Sequence, residues 1–232
     1  MKKLEKITVV IPVWNESDGI SELISHLKEA ESGYLEEIVV SDGGSTDGTA
    51  EAARSAGARV IHSPRKGRAA QMNAGAAAAM GDILYFLHAD TLPPDGFDSI
   101  ILSELRGDTA AGCFRLRFDE TRPALQFYSH FTRLHSRFLR FGDQSLFLRR
   151  KLFQKIGGFR EELIVMEDQE IFHRIRNEGN IVVASEEVIT SARKYRENGY
   201  LRLQLLFTLI WAGYYLGIPQ DKLASFYKRR IR

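Results

Sequence analysis

The chain is nearly without cysteine. Cys113 is the only one in 232 residues, which excludes an internal disulfide and a cysteine-based zinc site. Set between Gly112 and Phe114, that thiol reads as a small buried hydrophobe. An excess of charge of either sign is also missing. The 32 basic and 30 acidic residues leave a formal charge of +2, so the molecule as a whole does not point to nucleic acid. Nor is there an apolar run of the ~20 residues that a membrane span requires, since Arg202 and Gln204 interrupt the most hydrophobic segment, Tyr200 to Ile218. The N-terminal stretch is too short and too valine-rich for a signal peptide, from which a cytoplasmic location is expected. Internal repeats and low-complexity linkers are absent as well. The simplest organisation is one domain: a nucleotide-type half over 1–110, a second half over 111–198, and an apolar, basic C-terminal segment over 199–232.

What is present alternates. Ile7 to Pro12 reads as a buried strand stopped by proline. A polar loop follows, in which Ser17 or Asp18 can cap a helix reaching about Glu31, with Ile20, Leu23, Ile24 and Leu27 at helical spacing. Glu37 to Val40 is a second strand, running into the glycine-rich loop Ser41 to Gly48, and a third spans Arg59 to His62. An alanine-rich helix is expected from Arg68 to Met80. Then comes the densest apolar stretch, Ile83 to Leu87, which ends in His88-Ala89-Asp90. Such density suits a central strand covered on both faces. The alternation predicts an α/β fold, a doubly wound and mostly parallel sheet with helices on both faces. Beyond Pro93-Pro94 the expected elements are a strand over Ala111 to Phe118, an aromatic and arginine-rich helix over Pro123 to Phe141, a strand over Gln144 to Arg149, and a helix over Glu167 to Asn177 closed by Gly179.

Ligands of open α/β sheets gather at the carboxyl ends of strands. Three such ends fall at Pro12 to Glu16, Asp42 to Ser45 and His88 to Asp90. Asp42 is placed to accept hydrogen bonds from a base or ribose. Asp90 is a hard oxygen donor suited to Mg²⁺ or Mn²⁺ on phosphates. Each of these acids can equally be a helix cap or loop anchor, and Asp47 fits a cap for the helix after Gly48. Lys66 and Arg68 flank Gly67 ahead of a helix start, which favours a phosphate, or else forms a solvated loop with two charges. Glu167 and Asp168 open a helix, where the dipole alone accounts for acids and where a general base is also held ready. Gly142-Asp143-Gln144 precedes an apolar strand and is either a site element or a plain turn.

In this order, VVIPVWNE, VVSDGGSTDGT, KGRAAQMNAG, FLHADT and GGF followed by MED resemble the inverting family 2 glycosyltransferases of the GT-A fold, over roughly Ile7 to Gly179. HADT and FGDQSLFLRR are similar to a short bacterial subgroup of them. The resemblance implies transfer of a sugar from a nucleoside-diphosphate sugar to an acceptor hydroxyl with inversion, assisted by Mg²⁺ or Mn²⁺. It places Pro12, Asn15, Glu16 and Asp42 around the base and ribose, and Lys66, Gly67, Arg68 and Asn73 in the segment that closes over the nucleotide. Asp90 matches the second Asp of the D-x-D motif, on metal and diphosphate. Asp168 matches the Asp of the E-D motif that deprotonates the acceptor, with Glu167 beside it. Asp143 and Gln144 fall on the acceptor side.

Two departures stand out against that family. His88 replaces the first Asp of D-x-D; it either ligates the metal with Asp90, donates to a ribose oxygen, or makes no metal contact, and with Ala89 it counts among the nucleotide-sugar residues. The Q-x-x-R-W acceptor motif is absent, and Thr190 to Arg196 stands in its place, offering Arg193 or Arg196 to a diphosphate. The lost Asp raises an alternative, a non-catalytic nucleotide-sugar-binding protein, against which the retained Glu167 and Asp168 speak. A nucleotidyltransferase fits poorly, because Val13-Trp14-Asn15-Glu16 occupies the place of a G-x-G-x-R loop. The basic aromatic helix and the apolar C-terminal segment suggest a lipid-linked acceptor and a peripheral contact at the inner membrane face. The other readings of Tyr200 to Ile218 are a helix docked on the domain or against a second copy, as a homodimer.

Overall fold

The computed structural model describes residues 4–131 and 142–231. Its centre is β1 (Ile7–Val13), flanked in parallel by β2 (Leu35–Asp42) and β4 (Ile83–Phe86), with β3 (Arg59–His62) parallel to β2. On the far side of β4 the sheet changes character. β7 (Leu146–Arg149) runs antiparallel to β4 and to β6 (Thr109–Phe118), β6 is parallel to β8 (Asn180–Thr190), and the short β5 (Thr91–Leu92) closes the edge antiparallel to β8. The eight strands take the order β3-β2-β1-β4-β7-β6-β8-β5. The expected α/β architecture with a doubly wound first half holds, and the second half is mixed.

The pleat sorts β1 and β4 into two cores. Ile7, Val9, Ile11, Ile83 and Tyr85 face one layer, while Val10, Leu84 and Phe86 face the other. That is why these strands read as continuous apolar runs rather than alternating ones. The first layer includes α1 (Ser17–Ala30), which buries Ile20, Leu23, Ile24 and Leu27, and α4 (Phe97–Glu104). The second includes α3 (Arg68–Ala78), α6 (Arg150–Lys155) and α7 (Glu167–Ile175). Between them in the chain lie α2 (Thr49–Ser55) and α5 (Pro123–Phe131), and α8 (Arg193–Asn198), α9 (Tyr200–Tyr215) and α10 (Gln220–Arg230) complete it. Small residues let α3 lie close on β1: a Cβ on Gly75 would sit 2.3 Å from Val10 Cγ1.

Several local expectations are corrected. The run Ile83 to Leu92 is two strands, with His88 to Asp90 forming the turn between them. Neither Ser17 nor Asp18 caps α1 through its side chain; instead the Ser17 N–H donates to Asp47, thirty residues away. α7 ends at Ile175, before the glycine expected to close it. Gly179 is required elsewhere, since a Cβ there would meet the Asp108 carbonyl oxygen at 2.8 Å. Gln144 lies in a single 3₁₀ turn, Gly142–Gln144, ahead of β7, rather than in the strand. The helix expected over Pro123 to Phe141 is described as far as Phe131, and its remainder lies outside the described residues. Among the described residues no helix is long and apolar enough to cross a membrane.

Candidate active site

Strand register builds the first wall of the site. Val13 stands beside Asp42 and Asp42 beside His62, so the carboxyl ends of β1, β2 and β3 are level. The Leu87 N–H donates to the Val10 carbonyl (3.0 Å), which brings His88 to Asp90 to the same edge. The loops at this edge are tied to one another. Asn15, at φ 55°, donates its N–H to Ser45 Oγ (2.9 Å) and accepts the Thr46 N–H on Oδ1 (2.9 Å). The Glu16 N–H donates to Thr49 Oγ1 (2.9 Å). Pro12 lies half-buried beside Ser41 in the ladder.

Asp42 is 2% exposed. Its carboxylate accepts the Ser45 hydroxyl and the Ser45 and Gly44 amides, and pairs with His62 Nδ1 at 3.3 Å. Burial works against the charge, but these donors together, led by the Ser45 hydroxyl, hold the carboxyl below its usual range. Asp42 therefore anchors the glycine-rich loop that follows β2. Gln71, which was not anticipated, completes this wall from α3: its buried Nε2 donates to the Val13 carbonyl (2.6 Å) and the Ser41 carbonyl (3.0 Å). The only signal for it was its place in KGRAAQMNAG, since a glutamine inside an alanine-rich helix announces no partner.

Gly67, at φ 121°, turns the chain into α3, and Lys66 runs past Gly44. Asn73, further along α3, bonds to the turn after α6. Its Nδ2 donates to the Phe159 carbonyl (2.8 Å) and Glu161 (3.0 Å), and its Oδ1 accepts the Phe159 N–H (2.8 Å). It clamps α3 to the Gly157-Gly158-Phe159 turn.

The second wall comes from α7. Arg68 Nε lies 3.4 Å from Glu167 Oε1, a buried oxygen with no hydrogen-bond partner among the described residues. The Glu167 carboxylate, with Asp168 and Asp143, keeps Arg68 firmly cationic against the opposing effect of burial. Asp168 Oδ1 accepts the N–H of Gln169 at 2.7 Å, at the positive end of α7. Met166, just ahead of the pair, adopts φ 68°, a left-handed conformation that costs a side-chain-bearing residue about 1–2 kcal/mol. The loop before it is held from α10, where Gln220 Oε1 accepts the N–H groups of Ile164 (3.1 Å) and Val165 (3.3 Å). Arg68, His88, Glu167 and Asp168 line one crevice, with Phe86 and Phe159 as its apolar wall.

His88 Nδ1 donates to the Asp143 carboxylate oxygen Oδ1 at 3.0 Å. Partial burial acts against the Asp143 charge, yet the His88 hydrogen bond, the His88 charge and Lys194 keep it well below the ordinary carboxylate range. Asp143 thus reaches the strand-end group from the 3₁₀ turn, whereas Gln144 is buried and donates to the Phe114 carbonyl at 3.2 Å. Ala89 packs against the core. Asp90 accepts the Thr91 hydroxyl at the limit of hydrogen bonding (3.5 Å). Arg193 pairs with Glu16 at 3.2 Å and senses the Asp90 charge; Arg196 is instead committed to Glu120 and Asp119. Of the two arginines, only Arg193 belongs to this edge.

Asp90 offers a hard carboxylate oxygen of the kind that Mg²⁺ or Mn²⁺ accepts. Among the described residues no group of three His, Cys, Asp or Glu side chains could hold a metal unaided. His88 keeps one ring nitrogen beyond the one engaged by Asp143.

A level row of strand ends carrying a buried carboxylate, basic groups at a helix start and a facing pair of acids defines an α/β nucleotide-dependent enzyme site. Residues 8–161 match the sequence profile described as glycosyl transferase family 2, and the chain belongs to that family. It is 32% identical over 97 residues to the glucosyl-3-phosphoglycerate synthase of Mycolicibacterium smegmatis, covering 38% of this chain and 32% of that protein. It is 32% identical over 124 residues to the undecaprenyl-phosphate 4-deoxy-4-formamido-L-arabinose transferase of Edwardsiella ictaluri, covering 49% of this chain and 38% of that one. The matched stretch thus spans about a third of the length of these relatives. The mannosyltransferase PcManGT of Pyrobaculum calidifontis, solved with GDP-Man and Mn²⁺, shares the GT-A fold: TM-score 0.72, 20% identity, over 97% of this chain and 70% of that one.

Proposed function

We propose that this chain moves a sugar from a nucleoside-diphosphate sugar to an acceptor hydroxyl with inversion, with Asp168 as the general base. The observation that carries this reading is the single crevice in which Asp168 and Glu167 meet Arg68 and His88, beside the strand ends. The base and ribose rest against Pro12, Asn15, Glu16 and the loop anchored by Asp42. Lys66 and Arg68 offset the diphosphate charge, and Gly67 lets the backbone approach it. Mg²⁺ or Mn²⁺ held by Asp90 would supply Lewis-acid charge to the departing diphosphate. An Asp168 oxygen takes the proton of the acceptor hydroxyl. The acceptor oxygen bonds the anomeric carbon from the face opposite the diphosphate, and the carbon–oxygen bond to the diphosphate breaks with its electron pair leaving on phosphate. The Mn²⁺ and GDP-Man of the mannosyltransferase structure support this donor class and metal.

The undecaprenyl-phosphate transferase supports an acceptor carried on a lipid and, with it, a peripheral position at the cytoplasmic face of a membrane. The test is Asp168→Asn. It should bind donor as the wild type does and lose transfer by about 10²–10⁴-fold, the usual contribution of a positioned base. Near-complete retention of activity would remove Asp168 from this role. Donor binding by the wild type with neither transfer nor hydrolysis would favour a non-catalytic binding protein.

A further inference from the structure

α9 is apolar on two faces. Its inner face packs Leu203, Leu206 and Ile210 into the domain, and Gly213 meets Leu223 of α10. Its outer face carries Leu201, Leu205 and Leu209 at a spacing of four residues, 75%, 60% and 50% exposed, and Leu216 just past its end is 80% exposed. A contiguous exposed apolar strip on a helix surface marks an interaction face. Beyond the end of α9 Ile218 is exposed too, and Ile164, exposed in the loop that precedes Glu167 and Asp168, is tied by its N–H to Gln220, two residues past Ile218.

Charge decides what covers it. The Arg202 guanidinium donates to the Arg230 carbonyl at 3.0 Å, which sets the exposed Lys228, Arg229 and Arg230 at the Leu201 end of the strip. α9 itself carries no acidic residue. Leucines flanked by a basic cluster on an otherwise near-neutral chain match an anionic phospholipid surface, with acyl chains for the leucines and headgroup phosphates for the cations. A second copy docked on the same face would find no acidic residue on α9 to pair with its basic end.

We infer that the outer face of α9, with the basic end of α10, docks on an anionic lipid surface and turns the Asp168 side of the crevice toward it. For the nature of the acceptor this rests on the transferase reading; for the docking itself it does not. The experiment is co-sedimentation of the purified chain with phosphatidylcholine vesicles, with and without phosphatidylglycerol. The variants are Leu201→Ser/Leu205→Ser/Leu209→Ser and Lys228→Glu/Arg229→Glu, all at exposed positions. The wild type should sediment with the anionic vesicles, and less so at high salt. The serine variant should bind about tenfold or more weakly. The glutamate variant should lose about fivefold per charge removed, or more. Nucleotide binding, followed by thermal shift, should be unchanged in both. No sedimentation with anionic vesicles, or variants binding as the wild type does, would overturn the inference. So would a wild-type dimer, seen by light scattering, that the serine variant splits into monomers. Loss of nucleotide binding in the wild type would instead count against the transferase reading and leave the vesicle result standing.

Discussion

Asp47 joins two loops through one carboxylate. It accepts the Thr49 hydroxyl and amide and the Ser17 N–H, so the start of α2 holds the start of α1. The Thr49 hydroxyl, against a smaller effect of desolvation and helped by the two amides, brings its carboxyl down to about 2, below the usual 3.8. A folded value below the unfolded one gives stability that is complete above the unfolded value and fades as pH falls toward the folded one. Urea unfolding should therefore show a constant gap between wild type and Asp47→Ala from pH 7 to 5 and a closing gap from about pH 4 to 2. A gap of unchanged size at pH 2 would contradict this assignment. Gln71 is the buried counterpart. Gln71→Leu keeps the volume but removes the amide from the Ser41 carbonyl and from the Val13 carbonyl, which still accepts the Gly43 N–H, and should cost about 0.5–1.5 kcal/mol per lost bond in the same assay. A cost near zero would mean that water replaces the amide.

The elements explain what could be read and what could not. α3 was legible from its alanines, and its closeness to β1 follows from Gly75. Gly75→Ala gains about 1 kcal/mol of helix propensity yet forces a methyl against Val10, an overpacking cost of about 1–3 kcal/mol. The net should be a lower urea midpoint, and a higher one would show that β1 and α3 part easily. β1 to β4 and the helices between them could be read because their signals are local: apolar runs, glycine loops, helical spacing. β8 could not, because Glu186 and Glu187 interrupt its apolar pattern and its pairing with β6 is seventy residues away. α4 went unread as well. The caps failed for the same reason as β8, since Asp47 and Gln220 act across distances in sequence that no window contains. At the site, the acids of MED and the basic start of α3 were visible as motifs, but the Arg68–Glu167 contact, the His88–Asp143 pair and the clamp role of Asn73 exist only once the two halves meet.

On the scale of the whole molecule, the sheet divides the chemistry. Its parallel half presents level strand ends and a loop network built on Asp42, and its mixed half brings α7 and its acids up to Arg68. The proposed chemistry sets a diphosphate against Asp90 and Arg193 at the parallel edge and an acceptor hydroxyl at Asp168 in the crevice beside it. The measurement that reaches this claim most directly is a thermal-shift panel of nucleoside-diphosphate sugars, run on wild type and Asp90→Asn with and without Mn²⁺. For the wild type at least one donor should stabilise the chain in a Mn²⁺-dependent manner, by about 2.7 kcal/mol at a hundred times its dissociation constant. Asp90→Asn should lose that dependence. Absence of stabilisation by every donor, or an Asp90→Asn response identical to the wild type, would contradict the account.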